Sequence, residues 1–184
     1  MDVYETCPVL KSERFTLRLV ERGDAPALLK VYSDEKAVPL FNSDNCHGDD
    51  FHYAALERML QAVDFWLDSY KHRCFVRWTI LEGSEPIGTV ELFHREGADA
   101  FNHHGLLRLD LRSDKEDAAV IGELLALLSR HAYSLFGCGI LATKAPAFAA
   151  ERCRALRTQG YMPSASLLID WDGTEYGNYW VRAE

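Results

Sequence analysis

Three carboxylates, Asp114, Glu116 and Asp117, crowd the start of a helix that follows a strand almost without a loop, in the run Leu107 to Leu128 (LRLDLRSDKEDAAVIGELLALL). A strand-to-helix junction gathers free backbone N–H groups and the positive end of the helix dipole, so anions commonly dock there. Here the chain supplies its own anions. Ser113-x-x-Glu116 has the spacing of a capping box, which satisfies helix-start N–H groups internally. Each carboxylate near the dipole is worth about 0.3–1 kcal/mol, and an incoming phosphate would have to displace or repel them. Arg112 and Lys115 partly offset that charge. Glu91, in the apolar run Ile87 to His94, and Asp110, in Leu106 to Arg112, stand inside segments that read as central strands. An acid there serves as a general base, directly or through water, or it faces a solvated sheet face or pairs with Arg77 or Arg108.

Other candidates carry less chemistry. His94, His103 and His104 lack further ligands at metal-binding spacing, so no metal site is expected. His131, near the edge of a helical apolar stripe, reads as structural, and Cys153 has neither a histidine partner nor a helix start to activate it. No G-x-S-x-G or Walker loop occurs, and Gly137-x-Gly139 is too short for a dinucleotide fingerprint. Phe41 to His47 is polar, and it either covers a substrate slot or merely connects two helices. Trp66, Tyr70 and Trp78 read as core.

The elements that position these residues follow from periodicity. Phe15 to Val20 alternates like a strand. Asp24 is placed to cap a helix reaching about Tyr32, with Pro26 tolerated in its first turn. Tyr53, Leu56, Met59, Leu60, Val63, Trp66, Leu67 and Tyr70 make one helical stripe ending at Lys71, His72 and Arg73. Phe75 to Leu81 and Ile87 to His94 form a hairpin around Gly83 and Pro86. Leu106 to Arg112 is a further strand, and a central helix runs from about Asp114 to Phe136, stopped by Gly137. Ile140 to Thr143 is a strand, Pro146 starts a helix that Gly160 stops, and Ser166 to Trp171 and Tyr176 to Arg182 are strands around Asp172-Gly173. The order β-α-α-β-β-β-α-β-α-β-β excludes a bundle or a pure sandwich and indicates an antiparallel-rich sheet with helices on its faces.

Bulk properties bound the function. The 184 residues are 48% hydrophobic and 26% charged, which suits one folded domain. Twenty basic and 28 acidic residues leave a net charge of −8; with no Lys/Arg cluster, a nucleic-acid partner is not expected. The acidic balance favours a cationic substrate such as an amine. Cys7, Cys46, Cys74, Cys138 and Cys153 are odd in number and widely spaced, which fits reduced thiols in the cytoplasm. The N-terminus lacks signal-peptide features, and no apolar run approaches the roughly 18 residues of a membrane span.

This order and three motifs resemble the GNAT acetyltransferase superfamily, in particular its ribosomal-protein N-acetyltransferase branch. Leu10 to Leu19 (LKSERFTLRL) is similar to the branch's opening L-x-[ST]-E-R-L-x-L-R, Pro86-Ile87-Gly88 to its P-I-G strand start, and Leu156 to Tyr161 to its closing L-x-x-x-G-[FY]. The resemblance spans nearly the whole chain. It implies a single α/β (α+β) domain over 1–184, with a mostly antiparallel mixed central sheet of about six or seven strands flanked by helices. It further implies acetyl-CoA held between the diverging strands Leu106 to Arg112 and Ile140 to Thr143. The binding set would be Leu109, Leu111, Arg112, Lys115, Ala118 and Ala119, with Glu91 or Asp110 as base. Where the family writes [QR]-x-x-G-x-[GA], this chain has Asp114-Lys115-Glu116-Asp117-Ala118-Ala119, so only Ala119 conforms. Ala149 stands for the family's helix Asn and Leu156 for its Tyr. The implied function is acyl-CoA-dependent N-acetylation of a primary amine, on a peptide N-terminus or a small molecule. The alternatives are a GNAT-fold ligand-binding or regulatory module that has lost acetyl-CoA binding, and an interaction protein that forms a homodimer through its C-terminal strands.

Overall fold

The computed structural model describes residues 2–184. Two short strands, β1 (Leu10–Lys11) and β2 (Phe15–Leu19), lead into helices α1 (Ala25–Tyr32) and α2 (Leu56–Lys71). The strands β3 (Val76–Glu82), β4 (Glu85–His94) and β5 (Gly105–Leu111) follow, then α3 (Ala118–Phe136), β6 (Ile140–Lys144) and α4 (Ala150–Thr158). The chain closes with β7 (Met162–Pro163), β8 (Leu168–Ile169), β9 (Glu175–Tyr176) and β10 (Tyr179–Ala183). Eight strands form one sheet in the order β1-β2-β3-β4-β5-β6-β10-β7, while β8 and β9 make a separate ribbon. Among the described residues β5 and β6 form the one parallel pair. The mixed, mostly antiparallel sheet with helices on both faces is the architecture expected from the sequence.

The alternation of strand residues divides the sheet into two unlike faces. Val76, Trp78, Ile80, Val90, Leu92, Leu107, Leu109 and Leu111 share a core with Val120, Ile121, Leu124, Leu125 and Leu128 of α3. Their neighbours Arg77, Thr79, Thr89, Glu91, Arg108 and Asp110 point the other way and are equally buried. Over that second face lie α1 and α2, with a core of their own built from Leu28, Tyr32, Met59, Val63 and Trp66. A polar face under helices must bond internally, because a buried unpaired polar group costs about 1–3 kcal/mol.

Two glycines have backbone reasons. A Cβ on Gly88 would stand 2.2 Å from the Asp110 carbonyl oxygen, so the P-I-G glycine permits close approach of β4 and β5. Gly137 ends α3 in the left-handed region at φ 58°.

Several local expectations give way. Asp24 stands before α1 without a side-chain cap; its carboxylate binds Arg18, Thr79 and the Glu21 N–H instead. The central helix begins at Ala118, after a 3-10 turn at Ser113–Lys115. Pro146 opens a turn closed by the Ala149 N–H, and α4 starts at Ala150 because Ala149 is not helical. The C-terminal strands shrink and part company, since left-handed Asn178 separates β9 from β10. No helix among the described residues is long and apolar enough to cross a membrane.

Candidate functional site

Glu91 and Asp110 meet on the buried polar face. The Arg77 guanidinium lies between them, pairing with Glu91 through Nη2 and donating from Nη1 to Asp110 Oδ2 (3.0 Å), Tyr32 Oη (3.0 Å) and Thr89 Oγ1 (3.1 Å). Arg108 Nη1 donates to the other Glu91 oxygen at 2.8 Å. Burial pushes the Glu91 carboxyl up, but the charges and hydrogen bonds of Arg77 and Arg108 outweigh it and hold the group below its ordinary range. Asp110 goes the other way: burial raises it, and the opposing pull of Arg77 and the Tyr32 hydroxyl does not cancel that. Its Oδ1 has no partner. Both acids therefore sit beside the arginines named in the sequence reading. Glu91 is locked as a carboxylate, while Asp110 retains a free oxygen.

On the opposite edge of β5 the sheet opens. The pairing of β5 with β6 ends at Leu107–Thr143, so the strands part from Arg108 onward. The chain itself enters this gap. Arg152, on the buried face of α4, donates from Nη1 to the Leu109 carbonyl (2.9 Å) and the Leu40 carbonyl (3.1 Å), while Nε and Nη2 grip Glu116 at 2.6 and 2.8 Å. Both side chains are buried.

The helix start is likewise occupied. The Ser113 N–H donates to Asp34 (2.8 Å) and the Ala118 N–H to Glu151 (3.1 Å). Asp117 caps the helix by accepting from Ala119 (2.8 Å) and Val120 (3.4 Å). The capping box expected of Ser113 and Glu116 does not form, because Glu116 binds the Arg152 guanidinium, a charge-assisted partner stronger than a backbone amide. The basic residues of the expected set are also engaged: Arg112 with Asp114 and Glu85, Lys115 with Glu82. Of the predicted contact residues, Leu109 meets Arg152 through its carbonyl and Ala118 and Ala119 bond acids through their N–H groups, whereas Arg112 and Lys115 turn to Glu85 and Glu82 at the β3–β4 hairpin and the Leu109 and Leu111 side chains lie in the core. Arranged in this way, the region does not fit a pyrophosphate. Its carbonyl, amides and cations already have partners.

A third feature lies beneath α2. A cavity of about 420 Å³ is walled by Phe51, Tyr53, Phe65, Trp66 and Phe75, with Arg77, Glu91 and Arg108 also lining it. The loop from Phe41 to His47 contributes to its rim: Asn45, Cys46 and His47 line it, and buried Asp44 ties the loop down through Lys144 (2.6 Å) and Tyr179 (3.0 Å). Trp66, read from the sequence as core, is both core and cavity wall, whereas Trp78 is core alone. His131 is exposed rather than structural. His94 Nε2 approaches His103 Nδ1 at 3.1 Å, and no cluster of three or more metal-ligating side chains occurs among the described residues.

The sequence alone did not single out Arg152, Glu151 or Asp34, and it offered Asp44 only as part of the Phe41 to His47 loop. One signal was available: Arg152 lies three and four residues before Ala155 and Leu156, so an arginine interrupts the apolar stripe of α4 and requires a buried acid.

No family model matches the sequence, and no curated protein matches it. Solved structures do. A GNAT-family acetyltransferase from Bacillus anthracis is similar with a TM-score of 0.71 at 11% identity, over 96% of this chain and 98% of that one. The Salmonella typhimurium acetyltransferase that modifies the N-terminal serine of a 50S ribosomal subunit protein gives 0.70 at 13%, over 96% and 99%. Mycobacterium smegmatis RimJ in complex with CoA-disulfide gives 0.69 at 14%, over 91% and 79%. The chain has the GNAT fold, and the resemblance drawn from its motifs points to the same group of proteins.

Proposed function

We propose that residues 1–184 form one acyl-CoA-dependent N-acetyltransferase domain acting on a primary amine, at a peptide N-terminus or on a small molecule. The observation that carries this reading is the parallel β5–β6 pair that parts after Leu107, inside a fold shared with acetyltransferases from end to end. The neighbours that modify ribosomal proteins support an amine acceptor, and the net charge of −8 favours a cationic one. Acetyl-CoA would meet the backbone of Leu109 and Leu111 and the helix start from Arg112 to Ala119 only after Arg152 and its partners rearrange. Asp110, with its free oxygen, is the better candidate base; Glu91 orders the two arginines. Five free thiols support a reducing, cytoplasmic setting. Exposed Leu167, Ile169 and Trp171 on the C-terminal ribbon support self-association, which a solution mass measurement tests.

The internally capped helix start favours a second reading, a GNAT-fold module that no longer binds acetyl-CoA. Calorimetric titration of the full chain with acetyl-CoA separates the two. Micromolar binding with acetyl transfer to a panel of amines is the result expected of the enzyme. Absence of heat at millimolar ligand would remove that reading and leave the module. Where binding is weak, Asp117→Gly should strengthen it, because the variant returns the Ala119 and Val120 N–H groups to an incoming phosphate.

A further inference from the structure

Among the described residues every arginine of the chain holds a carboxylate except three, Arg130, Arg157 and Arg182. These three stand far apart in sequence, on α3, α4 and β10, and packing gathers them. Arg130 and Arg182 line one surface recess of about 230 Å³, together with Ala126, Ser129 and Gln159. Arg157 lies over the ring of Trp180 (5.1 Å), which shares a face of β10 with Arg182. Gly160, left-handed at φ 79°, turns the chain out of α4, and a Cβ there would stand 4.0 Å from Arg182 Nε. Arg130 Nε donates to the Ala126 carbonyl at 3.3 Å. The two Nη groups of Arg130, the whole Arg182 guanidinium and the Gln159 carboxamide have no acceptor among the described residues. Arg130 is exposed, and no polar atom of Arg182 or Gln159 is both sealed from solvent and unpartnered, so these donors are open to a ligand.

We propose that this recess binds a phosphate group, held by the guanidiniums of Arg130 and Arg182 and the carboxamide of Gln159. The lining chooses that chemistry. It contains two positive charges and no acid, so a cation is repelled. Glu184, two residues beyond Arg182, is exposed and makes no ion pair with it. A single carboxylate would neutralise one of the two guanidiniums. A phosphate dianion neutralises both, and its tetrahedral oxygens can accept from two forked donors at once. Nucleic acid is a poorer match, because tracking a backbone takes more cations than this surface holds. Ser129 contributes wall alone, since its hydroxyl is sealed from solvent. The place is separate from the start of α3. Arg130 lies twelve residues along that helix, about 18 Å from its first turn. Around the recess the chain carries a net charge of −8, so long-range repulsion opposes the local attraction and binding is modest and sensitive to salt.

The inference does not rest on acetyl transfer, and its test uses no acetyl-CoA. The full chain is titrated with inorganic phosphate, with glycerol phosphate and with acetate, each at matched ionic strength in sodium chloride. Binding is read from NMR shifts of the arginine Nε–H groups and from calorimetry. Expected are saturable shifts of Arg130 and Arg182 with a dissociation constant of about 1 mM, and about tenfold weaker binding of acetate. Saturation by both phosphates alike assigns the site to the free ion, and tighter binding of glycerol phosphate assigns it to a small phosphate ester. Arg130→Gln and Arg182→Gln should each weaken binding about tenfold. Neither guanidinium has an acid partner to strand, so the melting temperature should hold, and exposed Arg130 carries the test if Arg182→Gln unfolds. Lys71→Gln, on the exposed surface of α2, removes the same charge elsewhere and should leave binding unchanged. The proposal is overturned by no saturable shift with either phosphate at tens of millimolar, by equal affinity for acetate, by binding that Arg130→Gln leaves unchanged, or by an equal loss in Lys71→Gln.

Discussion

The two recesses flanking β5 treat their polar groups in opposite ways. Toward β6 the chain has supplied its own partners. Arg152 takes the Leu109 carbonyl, and Asp34, Glu151 and Asp117 take the helix-start amides. Toward α2, beneath an aromatic wall, two buried guanidiniums keep a donor each without an acceptor. Two recesses beside one strand can thus differ in how completely their polar groups are paired. Satisfaction of buried polar groups distinguishes the two recesses where shape alone does not.

The comparison breaks most visibly at the two buried ion pairs. Glu91→Ala leaves Arg77 and Arg108 facing each other unscreened, and it should cost about 3–5 kcal/mol in urea unfolding. Arg152→Ala should cost a similar amount, about 3–5 kcal/mol, because it strands Glu116 and two carbonyls. The pairs should then diverge. Arg152→Met combined with Glu116→Leu removes both charges of the pair and should recover part of that stability, the Leu40 and Leu109 carbonyls still losing their donor, while opening the gap between β5 and β6. The same double replacement of Arg77 and Glu91 should fail, since Arg108 loses its carboxylate partner and Asp110 its guanidinium.

Acid sharpens the contrast within the α2-side cluster. The folded Glu91 sits below its ordinary value of 4.5, so the unfolded chain binds that proton more readily. Its contribution is complete above about pH 4.5 and is lost as pH falls through the lower folded value. Asp110 is raised above 3.8, so its contribution has the opposite sign: it is complete below pH 3.8 and is lost as pH rises through the folded value. Urea midpoints followed from pH 2 to 7 should therefore show a flatter acid limb in Glu91→Gln and a steeper one in Asp110→Asn. Equal slopes in both variants would place the acid sensitivity elsewhere. The smallest effect belongs to the helix start, where Asp117→Ala removes a cap worth about 0.5–2 kcal/mol, read as a modest drop in the unfolding midpoint.

Much of the architecture was legible because it is periodic. Val76, Trp78 and Ile80 alternate with Arg77 and Thr79, and the spacing of Ile121, Leu124, Leu125 and Leu128 draws one helical face. The opening motif also has a physical reading: Ser12 Oγ donates to Glu123 of α3 at 2.7 Å, joining the N-terminal strands to the central helix. The strands bearing Glu91 and Asp110 were placed correctly, and Arg77 and Arg108 were named as partners, because they alternate onto one face. The candidate site was less legible. Ser113-x-x-Glu116 has the local spacing of a capping box, yet Glu116 bonds a residue 36 positions away. Asp34 reaches Ser113 across 79 positions. The residues that close the helix start and those that wall the cavity come from separate elements with no common spacing.

What this sequence determined alone is the set of apolar faces, the strand and helix order, and the presence of three carboxylates at the start of the central helix. The tertiary structure decided where each charge goes. Hydrophobic burial selects faces through short-range period, which a linear chain displays openly. A buried ion pair depends on two side chains meeting in space, and only the packed sheet brings Arg152 to Glu116 and leaves the Nε–H groups of Arg77 and Arg108 facing no acceptor of their own.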